Sequence, residues 1–428
     1  MHVSCRRRYV MAVAPLFLRT FMLAAMVHAA ALPARAEQAG ASAVKWQSAA
    51  TELKKLVPEI YAYPERLDNT VGHESDLLRA ERLAIETERD LFLYAEKVAL
   101  ALADHHASLN RSSKQSFALV PTYADMWVEV QDGAYVISSV RRGSPAAGAG
   151  IAAGNMLVAV NGTPAAEAVA AFWDALGYEP DDERRGYAAR LLANGRQGGD
   201  RKLTVRDAAG AETALTLPTL YDAPMPERSA VTVEERGGVP IIRIGNSLGD
   251  IDTVTAFDAA MAAASVAPEI VIDLRETPSG GNTSVARGIM GWFVDTPTPY
   301  QEHRLRADAE PMGITRSWRE LVSPRGTARY AGCVTVLVGR WTGSMGEGMG
   351  LGFDAMGADV VGTLMAGLLG AIEQFTLPES GIRISLPIER MYHVDGTPRE
   401  DFVPAETATT CPVASTWESV GGEPGFRR

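Results

Sequence analysis

A serine stands where a strand gives way to a helix in the run Val334-Thr335-Val336-Leu337-Val338-Gly339-Arg340-Trp341-Thr342-Gly343-Ser344-Met345-Gly346-Glu347-Gly348. The first five residues are apolar and mostly β-branched, the pattern of a buried strand. The segment from Ser344 to Met356 reads as a Gly-rich helix. A hydroxyl at such a turn suits nucleophilic attack, because backbone N–H groups and the positive end of the helix dipole lie beside it to hold an oxyanion. The same residue also reads as a plain N-cap, with Glu347 at capping-box spacing. Candidate bases are few. His105-His106 closes a helical segment, where a capping or solvent-exposed pair is the simplest reading. His303 lies in a charged stretch with Arg304 and Arg306, and His393 near a strand end; both read as surface residues. No His, Cys or Asp cluster has metal-ligand spacing, so neither metal nor cofactor is expected.

These residues must be positioned by a chain of 428 residues, enough for two or three domains. Hydrophobic residues make up 46% and charged residues 22%, a soluble globular balance. The net charge is −11, and residues 1–36 hold five Arg and no acid, which leaves −11 − 5 = −16 beyond them. That acidity argues against nucleic acid and anionic membrane surfaces as partners. Arg6-Arg7-Arg8, an apolar run from Phe21 to Leu32, and Ala34-Arg35-Ala36 have the pattern of a secretory signal over 1–36. The alternative is an uncleaved anchor, for which the run is short. The mature chain is therefore expected to be secreted or periplasmic and not an integral membrane protein. Cys333 and Cys411 would remain, either bridged or as two buried thiols.

Residues 37–122 read as a helical region, with one long helix from Glu74 to Leu109 free of Pro and Gly. Residues 123–218 change to short strands. Gly143-Ser144-Pro145-Ala146-Ala147-Gly148-Ala149-Gly150-Ile151 leads to Gly154-Asn155-Met156-Leu157-Val158-Ala159-Val160-Asn161-Gly162. This order resembles a PDZ domain, with Asn155 where Asp is usual. Such domains take a peptide as an added strand, often by its C-terminus. Residues 222–230 read as a linker. Residues 229–428 alternate strands and helices, the mark of an α/β domain with a largely parallel sheet.

In this order of parts the chain resembles the C-terminal-processing (tail-specific) serine peptidases and the related tricorn core peptidase. The resemblance implies a ClpP/crotonase-like α/β catalytic domain, a helical N-terminal part and an inserted PDZ-like domain. The family's D-L-R-x-N-x-G-G is met by Asp273-Leu274-Arg275-Glu276-Thr277-Pro278-Ser279-Gly280-Gly281, one residue longer and with Thr277 where Asn is usual. Its S-x-x-E is met by Ser344-Met345-Gly346-Glu347. Near the C-terminus, Asp395-Gly396-Thr397-Pro398-Arg399-Glu400-Asp401 matches a D-G-x-x-x-E stretch but lacks the glycines that usually follow. One branch of the family uses a lysine base after the serine. Here the last lysine is Lys202, and Gly362 to Gly370, the matching stretch, has none. Arginine cannot replace it, since it stays protonated. The tricorn-like branch uses Ser, His and Glu, with its His in a D-G-H-T/S-x-L stretch that Asp104-His105-His106-Ala107-Ser108-Leu109 matches. The resemblance thus implies Ser344 as nucleophile, His106 as base, Glu400 as its orienting carboxylate, and Gly280, Gly281 and Met345 as oxyanion hole. It implies a serine endopeptidase acting on polypeptides, with C-terminal segments as partners of the PDZ-like domain. A catalytically inactive peptide- or lipid-binding relative is the alternative.

Overall fold

The computed structural model describes residues 43–67, 73–306, 311–325, 329–408 and 410–411. The expected signal over 1–36 lies outside them. A helix over 43–60 buries Ala49, Ala50, Leu53 and Val57, one face at helical spacing. The single helix expected from Glu74 to Leu109 is instead two, Asp76–Leu83 and Glu88–Ala101. The second opens on a capping box: Thr87 Oγ1 accepts from Asp90 N at 3.2 Å, and Asp90 Oδ2 from Thr87 N at 2.9 Å. These capping bonds restart the helix where no Pro or Gly marks a break. The predicted helix end at Leu109 is in fact a strand, Ser108–Leu109.

Residues 126–217 hold an antiparallel sheet in the order Met126–Gln131, Ala134–Val140, Met156–Val160, Arg201–Arg206, Glu212–Leu217, with Thr163–Pro164 beside the third strand. Asp132 and Gly133 join the first two strands with φ of 50° and 78°, the two positive values a tight twisted hairpin needs. Helices Ala165–Asp174 and Asp182–Asn194 pack on this sheet.

Beyond residue 230 a five-stranded sheet runs Asp359–Gly362, Cys333–Val338, Glu269–Asp273, Val239–Ile244, Val231–Arg236. All neighbours are parallel except the last pair. Helices Asp252–Ala264, Thr283–Met290 and Met345–Ala355 accompany it. A second, antiparallel sheet was not legible in the sequence: Ser108–Leu109, Arg383–Tyr392, Thr298–Leu305, Ser317–Val322, with Ala371–Thr376 also on Arg383–Tyr392. No helix among the described residues is long and apolar enough to cross a membrane.

Two cores result. One belongs to the α/β part and includes Ile242, Ile272, Val336, Met349 and Phe353. The other joins the N-terminal helices, the sheet of 126–217 and Leu368, Leu369, Ile382, Ile384 and Leu386 from the C-terminal part. That second core thus draws side chains from all three expected regions, 37–122, 123–218 and 229–428. Cys333 and Cys411 are bridged across a separation of 78 residues. In the chain-entropy picture a loop of that size stabilises by about 4–5 kcal/mol.

Candidate active site

Ser344 follows the strand Cys333–Val338 and precedes the helix Met345–Ala355. Its φ of 51° and ψ of −115° are costly for a side chain with a Cβ. The surroundings hold it there. Gly343 N donates to Thr277 O at 3.0 Å, and Thr342 Oγ1 donates to Leu274 O at 2.9 Å. The turn before Ser344 is thereby fastened to the turn after Asp273, and Thr277, which stands where the family has Asn, supplies a backbone acceptor. Gly280, at φ 64°, lies so close that an added Cβ would sit 2.5 Å from Ser344 Cβ and 2.6 Å from Met345 N. Only glycine fits. Met345 N–H, in the first turn of its helix, has no acceptor within the helix and lies next to Ser344.

His106 arrives from far away in the chain. Its Nε2 is 3.1 Å from Ser344 Oγ, across a separation of 238 residues. Two residues on, Ser108 and Leu109 pair with Ser385 and Ile384, so His106 is carried at the root of an edge strand. Asp104 ties the approach: its Oδ1 accepts from His106 N at 2.8 Å and its Oδ2 from Tyr61 Oη at 2.9 Å. His106 Nδ1 is 2.7 Å from Leu369 O. A carbonyl can only accept, so Nδ1 carries the proton and Nε2 presents its lone pair to the serine hydroxyl. Burial, with Arg399 adding to it, pushes the His106 pKa down to about 4.

The segment that supplies this carbonyl is gripped from both sides. Glu347 accepts from Ser344 N at 2.7 Å, from Gly367 N at 2.8 Å and from Leu368 N at 3.2 Å. Arg399 Nη2 donates to Leu368 O and Gly370 O, each at 2.6 Å. Glu347 has no exposed surface, and burial pushes its pKa up to about 7 against the pull of Arg399 and those N–H groups. One carboxylate thus fixes the Ser344 backbone and the loop that bonds the His106 ring. Glu347 was legible as a helix cap; its reach to Gly367 and Leu368 was not, because that contact is long-range. Arg399 and Leu369 were missed. A backbone carbonyl leaves no residue-type signal, and Arg399 resembled a surface charge.

The expected role of Glu400 does not match the geometry. It sits in the short turn Arg399–Asp401 and makes no hydrogen bond to His106, whose Nδ1 is already taken by Leu369. Glu400 Oε2 and the Tyr63 hydroxyl are both buried without a hydrogen-bond partner. Burial and then the Glu400 charge raise the Tyr63 pKa. At Gly281 an added Cβ would meet the Leu248 backbone at 2.0 Å, so this turn also packs tightly against Leu248–Gly249, while Gly280 lies against the serine.

His303 and His393 were expected at the surface and are buried. His303 lies in the strand Thr298–Leu305, 2.7 Å from Glu389 Oε2 and 3.4 Å from Glu320 Oε2, and stacks on Trp318. Burial lowers its pKa, but the two carboxylates outweigh that and raise it to about 9. It is thus already protonated at neutral pH. His393 pairs with Asp395 at 3.0 Å and Asp354 at 3.3 Å. His105 Nε2 accepts from Arg190 Nε at 2.8 Å. Among the described residues no group of three or more His, Cys, Asp or Glu could hold a metal ion.

Residues 241–403 match the model of Peptidase family S41. A solved photosystem II D1 C-terminal processing protease aligns with 86% of this chain and 92% of its own at 16% identity, with a TM-score of 0.51. Mature CPAF aligns with 85% of this chain and 92% of its own, also at 16% identity, with a TM-score of 0.52. A comparison with curated proteins returns no match. At such identity the structural likeness speaks for the fold alone. Over residues 241–403 the chain thus matches the model of Peptidase family S41, within a mixed α/β fold like that of the photosystem II D1 C-terminal processing protease and of mature CPAF.

Proposed function

We propose that this protein is an exported serine endopeptidase that hydrolyses polypeptides with Ser344 as nucleophile and His106 as base. The observation that carries the reading is the 3.1 Å approach of His106 Nε2 to Ser344 Oγ. Ser344 Oγ attacks the peptide carbonyl while its proton passes to His106 Nε2. The negative oxygen that forms is received by Met345 N–H, beside Gly280. His106 then gives the proton to the departing amine, and water repeats the sequence on the acyl-enzyme. Leu369 O takes the part expected of Glu400, fixing the imidazole tautomer. A neutral acceptor stabilises imidazolium less than a carboxylate would. The base is accordingly weak, yet stays unprotonated into acid.

Export is supported by the basic and apolar pattern of 1–36, and the Cys333–Cys411 bridge suits an oxidising compartment. The PDZ-like reading of 123–218 draws on its sequence pattern and on its order of strand, short helix and strand over Ala134–Val140, Pro145–Gly148 and Met156–Val160. A fluorophosphonate probe tests the reading. Ser344 should be labelled in the folded full-length chain and left unlabelled after Ser344→Ala. Folded wild-type protein that takes no label would favour an inactive binding relative.

A further inference from the structure

Peptide addition to a PDZ-like sheet needs a strand edge with free N–H and C=O groups. Met126–Gln131 is one edge strand of the sheet, with Glu212–Leu217 at the other end. The outer groups of the first half of Met126–Gln131 are occupied by the chain's own helix Asp182–Asn194. Asn194 Oδ1 accepts from Asp125 N at 2.9 Å and Met126 N at 3.2 Å, while its Nδ2 donates to Met126 O at 2.9 Å. Arg190 Nη1 donates to Val128 O at 3.2 Å. The same helix packs on Ala165–Asp174, where Trp173 Nε1 donates to Arg184 O at 3.0 Å and the Trp173 and Tyr187 rings lie 6.2 Å apart. The groove between edge strand and helix is therefore filled from within.

Arg190 reaches further. Its Nε donates to Nε2 of His105, the neighbour of His106, at 2.8 Å. Its guanidinium lies 5.0 Å from the Trp127 ring, and that of Arg340 lies 4.9 Å from the same ring. Arg340 is paired with Glu129 and donates through Nη1 to Met365 O at 2.7 Å, beside the loop that orients His106. Next to it, Trp341 Nε1 donates to Ala124 O at 2.7 Å. One side chain on the helix thus touches the base-bearing segment directly and, through Trp127, the turn leading to Ser344.

We propose that the helix Asp182–Asn194 is a resident occupant of the strand edge and that Arg190 is a positioning residue that sets His106 against Ser344. The proposal rests on the reading of those two as the catalytic pair. It implies that a peptide can add to Met126–Gln131 only by displacing the helix, which would release His105 and slacken the pair. The region 126–217 is then a brace for the site, and occupancy of its edge opposes catalysis.

The test uses the full-length chain with a fluorophosphonate probe and a peptide substrate. Arg190→Gln should melt near the wild-type temperature and reach the same final labelling of Ser344. It should do so roughly 10–100-fold more slowly, the scale of a displaced catalytic group. The kcat should fall with KM unchanged, and Arg190→Lys should recover part of the rate. A purely structural role would instead lower the final labelled fraction and leave the rate per labelled site untouched, and that result overturns the proposal. Wild-type rates in Arg190→Gln overturn it too. Should Arg190→Gln fail to fold, Arg190→Lys alone decides: it should label at least about threefold more slowly than wild type. If the wild-type chain itself takes no label, the peptidase reading fails, a different outcome from either.

Discussion

Ser344 and His106 meet at 3.1 Å but are held by opposite means. The serine is positioned by residues close to it in sequence: its own strand, its own helix, the Glu347 cap, and a neighbouring turn of the same parallel sheet. The histidine is positioned by everything else. It depends on Asp104 and Tyr61, on a two-residue strand paired with Arg383–Tyr392, and on a loop carbonyl at Leu369. A nucleophile built locally withstands change in distant parts. A base delivered by docking fails with any part of the interface, since a displacement of about 1 Å can cost on the order of a hundredfold in rate.

The largest effects should come from the pair itself. Ser344→Ala and His106→Ala should each lower kcat by roughly a thousandfold or more, and by similar factors, because members of one unit are not additive. Turnover of a peptide by His106→Ala near the wild-type rate would remove His106 as base. Glu347→Ala comes next, since Glu347 joins the two sides. It strands the N–H groups of Ser344, Gly367 and Leu368, and should cost roughly 3 kcal/mol or more in chemical denaturation. If stability and labelling both stay at wild type, the bridge between the sides carries no weight.

Reduction of Cys333–Cys411 acts on the nucleophile's strand from outside the site. It should lower stability by a few kcal/mol while leaving labelling of the folded protein within about twofold. The smallest effect separates the geometry from the family pattern. Glu400→Gln should change kcat by less than about threefold, because its carboxylate makes no hydrogen bond to His106. A loss approaching ten-thousandfold, as when an orienting carboxylate is neutralised, would restore Glu400 to the triad.

The same contrast decides what could be read in the sequence. Local features were plain: the apolar run before Ser344 and Glu347 at capping distance. Each is written in residue types a few positions apart. His106 had no such signature, and only the resemblance singled it out from His105, His303 and His393. The burial of His303 was hidden because its compensating charges, Glu320 and Glu389, sit on other strands. The break between Asp76–Leu83 and Glu88–Ala101 turned on the Thr87–Asp90 capping box within an otherwise helix-forming run. The shared core of the N-terminal helices, the 126–217 sheet and the 366–386 stretch left no trace in any one segment, since it is a property of their meeting.

The most direct test of the docked base is the titration of the His106 ring by long-range 1H–15N NMR in the full-length protein. The folded chain resists protonation of this imidazole, whereas the unfolded chain binds its proton near the ordinary value of about 6.5. The stabilising share of neutral His106 is therefore complete above about 6.5 and lost as pH falls toward the folded value. The geometry predicts a neutral ring protonated on Nδ1, bonded to Leu369 O, that gains its second proton only near pH 4. A ring protonated on Nε2, or one that titrates at the ordinary imidazole value, would contradict it.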